Sequence, residues 1–303
     1  MATRNLKHKM SEVSAVNFIL GNRCNSKCSH CFARATPNSQ SKLDEQTALN
    51  LANQIAVLTQ IREIHFNGGE PFLYLPLMQE IAKIVSSKDP KIIKVATGAG
   101  EFKTYEGTAA MISRLPRLSE LWVSIDNYHL EHIPLANYKN LDTICRQLPI
   151  RMTYSITYKT MSELAQTLKI IHSNEFKYDE IIKQPIALFG RATQVRNSRQ
   201  YTDNYIPSDY RCGEPSIATI WTNGKITNCS AYSARCGLIE RHDDFTVFLS
   251  KNRTDPYHNL RNSKSLSEIA SHLSVTGPFD VTSPCASCKS ILSKIQSNTK
   301  HSL

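Results

Sequence analysis

Residues 15–32 read Ala15-Val16-Asn17-Phe18-Ile19-Leu20-Gly21-Asn22-Arg23-Cys24-Asn25-Ser26-Lys27-Cys28-Ser29-His30-Cys31-Phe32. The first six residues form a short run rich in Val, Phe and Ile, the composition of a buried strand. Directly after it comes C-x3-C-x2-C. Three thiols on one short loop can hold three corners of a metal centre and leave the fourth open. A centre that only braces a fold usually closes every corner, whereas a reactive one keeps a corner open. From the residues alone, two readings stand. One is an iron–sulfur cube on three thiolates; the other is a structural zinc taking a fourth ligand elsewhere, His30 included.

Working outward, short apolar runs alternate with amphipathic stretches over the first two-thirds of the chain. Strands are predicted at Ala15–Leu20, Glu63–Phe66, Ile92–Ala96, Glu120–Ile125, Met152–Thr157 and Ile181–Ile186. Helices are predicted between them, at about 44–59, 75–87, 105–114, 138–147 and 161–174. Leu51, Ile55 and Leu58 recur at helical spacing behind the candidate caps Ser41 and Asp44. Six strands separated by helices imply parallel βαβ units with right-handed crossovers. The expected fold is α/β, a partial (β/α)6 TIM-like barrel open along one side. Its functional loops lie at the C-terminal strand ends, and the cysteine loop is one of them.

After residue 193 the pattern changes. Residues 193–211 are polar and aperiodic, as in a linker. Ser216–Trp221 and Lys225–Cys229 flank Asn223-Gly224, a hairpin cue. The chain therefore divides into 1–192, a core domain, and 193–303, a linker with a small cysteine-rich β-hairpin/helix extension.

Composition narrows the setting. The 303 residues carry nine cysteines and a formal net charge of +10. The N-terminal stretch lacks the apolar segment of an export signal, and no apolar run is long enough to span a membrane. A reducing, cytoplasmic location follows, where clustered cysteines are ligands more often than disulfides. The cations are spread thinly, without the concentrated basic face or aromatic–basic interleaving of a nucleic-acid binder. A zinc-bearing nucleic-acid binder is thus the reading from a different class, and nucleic acid is not an expected partner.

A second motif, Asn67-Gly68-Gly69-Glu70-Pro71, follows the second strand. Paired glycines allow close backbone approach, and a neighbouring carboxylate can accept from an ammonium group. Together, the cysteine loop ending in an aromatic residue and this Gly-Gly-Glu-Pro resemble the radical S-adenosylmethionine (SAM) enzymes, over roughly residues 15–192. The resemblance implies a [4Fe–4S] cluster on Cys24, Cys28 and Cys31, with SAM chelating the open iron. Reductive cleavage of SAM would then give a 5′-deoxyadenosyl radical that abstracts a substrate hydrogen. It further implies that Phe32 lies near the adenine. Gly68, Gly69 and Glu70 would hold the methionine end, with Glu70 accepting from the ammonium. Ser124 would contact the ribose, and the segments around Pro185 and Gly190-Arg191-Ala192 would lie near the adenine. An electron donor such as flavodoxin or ferredoxin is implied as a partner. Thr97-Gly98-Ala99-Gly100 departs from the family's commoner Thr-Asn-Gly.

The remaining cysteines resemble the auxiliary-cluster extension of these enzymes, the SPASM or twitch domain. That resemblance implies a second, auxiliary [4Fe–4S] cluster on Cys212, Cys229, Cys285 and Cys288; a zinc ribbon is the alternative. Cys236 would be a hydrogen-atom donor to a substrate radical, a replacement cluster ligand or an inert thiol, and Cys145 a core residue. Asp126-Asn127-Tyr128-His129 follows the fourth strand and would line a substrate pocket or cap a helix. The implied function is maturation of a ribosomal peptide by crosslinking or epimerisation. The alternative is dehydrogenation or epimerisation of a small molecule such as an aminoglycoside.

Overall fold

Each of the six predicted strands forms, within one or two residues of its expected ends. They are β1 (Ala15–Ile19), β2 (Glu63–Asn67), β3 (Ile92–Thr97), β4 (Leu118–Ser124), β5 (Arg151–Tyr158) and β6 (Glu180–Pro185). The computed structural model describes residues 13–186, 190–195, 212, 216–229, 239–275 and 284–300. The strands lie in the order β6-β5-β4-β3-β2-β1. The neighbouring pairs from β2 to β6 are parallel. β1 is buried along its whole length, whereas β6 ends the row with half-covered or exposed residues. The sheet is therefore open at β6, as a partial barrel requires.

The connecting helices are α1 (Glu45–Ala56), α2 (Leu75–Val85), α3 (Tyr105–Arg114), α4 (Asn127–Leu130), α5 (Leu135–Gln147) and α6 (Met161–Ser173). Their starts are set by side-chain caps. Asp44, Thr104, Asp126 and Thr160 each accept from a backbone N–H three residues on, which satisfies one of the orphan donors of a helix N-terminus. Of the two caps expected for α1, Asp44 fills the role. α1 buries Ala48, Leu51, Ala52 and Ile55, and α2 buries Met78, Ile81, Ala82 and Val85. Each such Leu or Ile contributes roughly 2 kcal/mol by leaving water. Cys145, on α5, is fully buried in the core, as expected.

The described residues fall into two compact units, a first of residues 17–196 with 221–224 and a second that holds the remainder, 13–16 included. Residues 193–195 of the expected linker belong to a 3-10 turn, Gly190–Val195, and 196–211 lie outside the described residues. In the second unit the hairpin appears where the Asn-Gly cue put it, with β7 (Ile217–Ile220) antiparallel to β8 (Ile226–Thr227). Its strands are shorter than read from sequence. Among its other described residues are the helices α7 (Phe245–Thr254), α8 (Pro256–Ser263), α9 (Leu266–His272) and α10 (Pro284–Lys300). Asp244, Asp255 and Ser265 cap the first three, Ser265 through a reciprocal capping box with Glu268. Leu266, Ile269 and Ala270 of α9 pack with Ile291 of α10, and Tyr257, Leu260 and Cys288 close over that cluster.

Candidate functional site

The cysteine loop leaves the C-terminal end of β1 and is held from three directions. Its own backbone closes on itself: Cys24 N donates to Thr36 O at 3.1 Å, and Cys31 N donates to Cys28 O at 3.1 Å. The Gly-Gly-Glu turn after β2 lies flush against its first residues. Gly69 N donates to Gly21 O at 2.8 Å and Glu70 N donates to Arg23 O at 2.9 Å. A side chain at either glycine would prevent this. A Cβ on Gly68 would fall 2.4 Å from Gly21 O, and one on Gly69 would fall 2.2 Å from Arg23 O. Gly68 also holds a φ of +150°, which favours glycine. The glycine pair thus docks one loop on the other, a role that sequence spacing did not reveal.

The third support is Arg191, in the turn after β6. Its Nε donates to Cys28 O at 2.9 Å and its Nη2 to Ala35 O at 2.8 Å. Its backbone N–H donates to Cys31 O at 3.0 Å. Gly190 precedes it with φ +59°, and a Cβ there would meet Phe32 O at 2.4 Å. The segment expected near an adenine therefore clamps the cysteine loop.

Glu70 is 1% exposed. Its carboxylate accepts from Thr97 Oγ1 at 2.9 Å, Phe72 N at 3.2 Å and Gly98 N at 3.2 Å. Burial raises its pKa to about 7 against these favourable hydrogen bonds. Glu70 thus ties the Gly-Gly-Glu turn to the end of β3. Of the other expected cofactor contacts, Ser124 ends β4 with its carbonyl accepting from Tyr138 Oη, Pro185 ends β6, and Phe32 is half exposed.

Burial raises the pKa of Cys24 to about 11 and that of Cys28 to about 12, and in both cases neighbouring thiolate charge adds to the rise. Buried thiols of this kind ionise when a cationic centre binds them. Four sulfurs about 2.3 Å from one zinc lie about 3.8 Å apart. Among the described residues, the three Cys, His, Asp or Glu ligand atoms that lie mutually within 4.8 Å are those of His30, Asp126 and His129, not those of any cysteine trio.

That compact trio escaped sequence reasoning as a unit. Asp126 is fully buried; it caps α4 and sits 2.8 Å from His129 Nδ1 and 3.9 Å from His30 Nε2. The His30 ring lies 4.7 Å from the Tyr128 ring and 4.9 Å from that of His129. Burial works to raise the Asp126 pKa, but His129 and His30 hold it below the ordinary value. Burial pushes His30 down to about 4, partly offset by Asp126. The segment after β4 is thus both a helix cap and a lining of the cysteine loop, since His30 lies between two of the cysteines.

In the second unit, Arg261 of α8 is 3% exposed, and its Nη2 donates to Cys212 Sγ at 3.1 Å. Burial works to lower its pKa, and the nearby sulfurs of Cys212, Cys229 and Cys288 raise it. Tyr257 Oη lies 2.9 Å from Cys288 Sγ. Of the expected auxiliary thiols, Cys212 thus contacts the guanidinium directly, and Cys229 and Cys288 act on it electrostatically. Cys285 sits one helical turn from Cys288 at the start of α10. Cys236 lies outside the described residues.

The open parallel sheet thus brings the cysteine loop and the docked Gly-Gly-Glu turn together at the strand C-termini. Residues 18–140 match the family model described as the Radical SAM superfamily. It is 27% identical over 153 residues to "Putative peptide biosynthesis protein YydG" of Bacillus subtilis, covering 48% of this chain and 47% of that protein. It is 26% identical over 201 residues to "S-adenosylmethionine-dependent nucleotide dehydratase" of Lacinutrix mariniflava, covering 64% and 35%. The chain spans about half the length, or less, of these curated relatives. Among solved structures, its fold matches "Native anSMEcpe with bound AdoMet" with a TM-score of 0.58, 11% identity, and coverage of 84% of this chain and 83% of that one. It also matches Streptococcus suis SuiB bound to precursor peptide SuiA with a TM-score of 0.51, 13% identity, and coverage of 84% and 67%. No described helix is long and apolar enough to cross a membrane.

Proposed function

We propose that this chain is a radical SAM enzyme that modifies a ribosomally made peptide by crosslinking or epimerisation. Cys24, Cys28 and Cys31 would hold a [4Fe–4S] cluster, with SAM on its open iron. When bound, the pair supplies one-electron cleavage of a carbon–sulfur bond and hydrogen abstraction from an unactivated carbon. The chain's own task is to fix the loop. Arg191 holds the carbonyls of Cys28 and Ala35, and the glycine pair brings the turn that would take SAM's methionine end against Gly21 and Arg23. Glu70 braces that turn through Thr97 and Gly98, while Phe32, Ser124 and Pro185 are assigned to the nucleoside. Cys212, Cys229, Cys285 and Cys288 would hold an auxiliary [4Fe–4S] cluster, and a flavodoxin or ferredoxin would supply electrons.

The observation that carries the class is the backbone docking of the Gly-Gly-Glu turn onto the cysteine loop. The likeness to the peptide-biosynthesis protein supports the substrate class. Incubation of the reconstituted protein with SAM, dithionite and a candidate precursor peptide in deuterated water tests it. Deuterium at one α-carbon supports epimerisation, with Cys236 as the assigned hydrogen donor, and loss of two hydrogens supports crosslinking. Peptides left unmodified while a nucleotide or aminoglycoside is consumed would favour the small-molecule reading, which the likeness to a nucleotide dehydratase motivates.

A further inference from the structure

Arg261 is a buried cation whose described partners include no carboxylate. Its Nη1 and Nη2 donate to Asn228 O at 3.3 Å, Nη1 also reaches Asn228 Oδ1 at 3.3 Å, and Nη2 donates to Cys212 Sγ at 3.1 Å. Its buried Nε has no hydrogen-bond partner among the described residues. Burying a guanidinium is costly unless an anion and hydrogen-bond acceptors meet it. Among the described residues, one thiol and the amide and carbonyl of Asn228 are all that meet it.

The surrounding residues hold the group rather than cover it. Asn228, which receives Arg261, is itself held in place: its Nδ2 donates to Asn252 Oδ1 at 2.9 Å and lies 3.0 Å from His258 Nδ1. Asn228, Asn252 and His258 are all buried. Asn228 also immediately precedes Cys229 in sequence. On the other side, Tyr257 places its hydroxyl on Cys288 Sγ. One planar fork is thus fixed against Cys212 and against the residue that precedes Cys229, with its Nε–H unmatched among the described residues.

We propose that Arg261 is the fixed counter-cation of the auxiliary iron–sulfur cluster, donating from Nη2 to the Cys212 sulfur and from Nε to a further sulfur of the cluster, and so raising the cluster's reduction potential. A four-thiolate cube is an anion with polarisable sulfur acceptors, and its potential rises with nearby positive charge and with hydrogen bonds to sulfur. The rigid guanidinium fork suits this better than an ammonium. Arg261 acts here as a positioning and tuning residue. The inference rests on the four-thiolate reading of Cys212, Cys229, Cys285 and Cys288.

The test uses the full chain with Cys24, Cys28 and Cys31 changed to Ala, so that only an auxiliary cluster can form. If this parent binds no iron–sulfur cluster on reconstitution, the four-thiolate reading fails and Arg261 loses its role with it. If it binds one, an EPR-monitored redox titration compares the parent with Arg261→Gln and Arg261→Lys. The expected result is a lower midpoint potential in the Gln variant and an intermediate one in the Lys variant. Equal potentials in parent and Gln variant would overturn the proposal while leaving the cluster assignment intact. Should the Gln variant not fold, pulsed EPR of the parent labelled with ¹⁵N-arginine decides. A weak nitrogen coupling to the reduced cluster supports the contact, and its absence overturns it.

Discussion

Arg191 Nε donates to the carbonyl of Cys28 at 2.9 Å, joining residues 163 positions apart. This bond makes the cysteine loop depend on the end of the sheet's last strand. Two side-chain bonds from one cation are lost in Arg191→Ala, at a cost of roughly 3 kcal/mol. The expected outcome is a lower thermal midpoint and reduced iron content after anaerobic reconstitution. Arg191→Lys should recover part of both, because a single ammonium cannot span the two carbonyls of Cys28 and Ala35.

Gly69→Ala is expected to be more damaging than its size suggests. The new methyl would lie 2.2 Å from Arg23 O, so the turn must lift from the cysteine loop. Overpacking of this kind costs about 1–3 kcal/mol. SAM affinity, measured by isothermal titration, should fall at least tenfold while helical circular dichroism is kept. Unchanged affinity would show that the docking of the two loops does not set the binding site.

Glu70 carries a pH signature. Its pKa in the folded protein, about 7, lies above the ordinary value of 4.5. The native state therefore holds the extra proton across that window, and stability falls as pH rises through it, by up to roughly 3 kcal/mol, then levels off. Glu70→Gln should flatten this slope. It should also lower stability near pH 5, because its amide places a donor against the N–H groups of Phe72 or Gly98. Urea unfolding of the metal-free protein from about pH 5 to about pH 8 checks both effects.

Asp126→Asn removes the charge that faces His129 and His30 while keeping most of the α4 cap. Loss of its charged contact to His129 Nδ1 is expected to cost about 2 kcal/mol. Iron content should stay near normal, and SAM cleavage should fall severalfold as His30, between Cys28 and Cys31, loses its support. Iron loss equal to the loss of cleavage would assign Asp126 to folding of the loop alone.

Much of this was legible in the sequence, and the exceptions have physical causes. The six strands showed because parallel strands are short runs rich in Val, Ile, Phe and Leu, as Phe18-Ile19-Leu20 and Leu121-Trp122-Val123 illustrate. The cysteines showed because their spacing is local. What did not show is contact over distance. Nothing near Arg191 or Arg261 in sequence announces a cysteine, and Asp126 and His30 meet only because the loops that follow β4 and β1 converge across the two strands between them. The helices at 245–272, which the expected β-hairpin/helix extension left without bounds, carry local signals: Asp244, Asp255-Pro256 and Ser265-Leu266-Ser267-Glu268 are capping sequences.

The central claim is that the loop of Cys24, Cys28 and Cys31, docked on the Gly-Gly-Glu turn, holds a cluster that cleaves SAM. Anaerobically reconstituted protein given SAM and dithionite should release 5′-deoxyadenosine and methionine in equal amounts, and Cys28→Ala should release neither. Wild-type protein that holds zinc, remains colourless and releases no 5′-deoxyadenosine would contradict it.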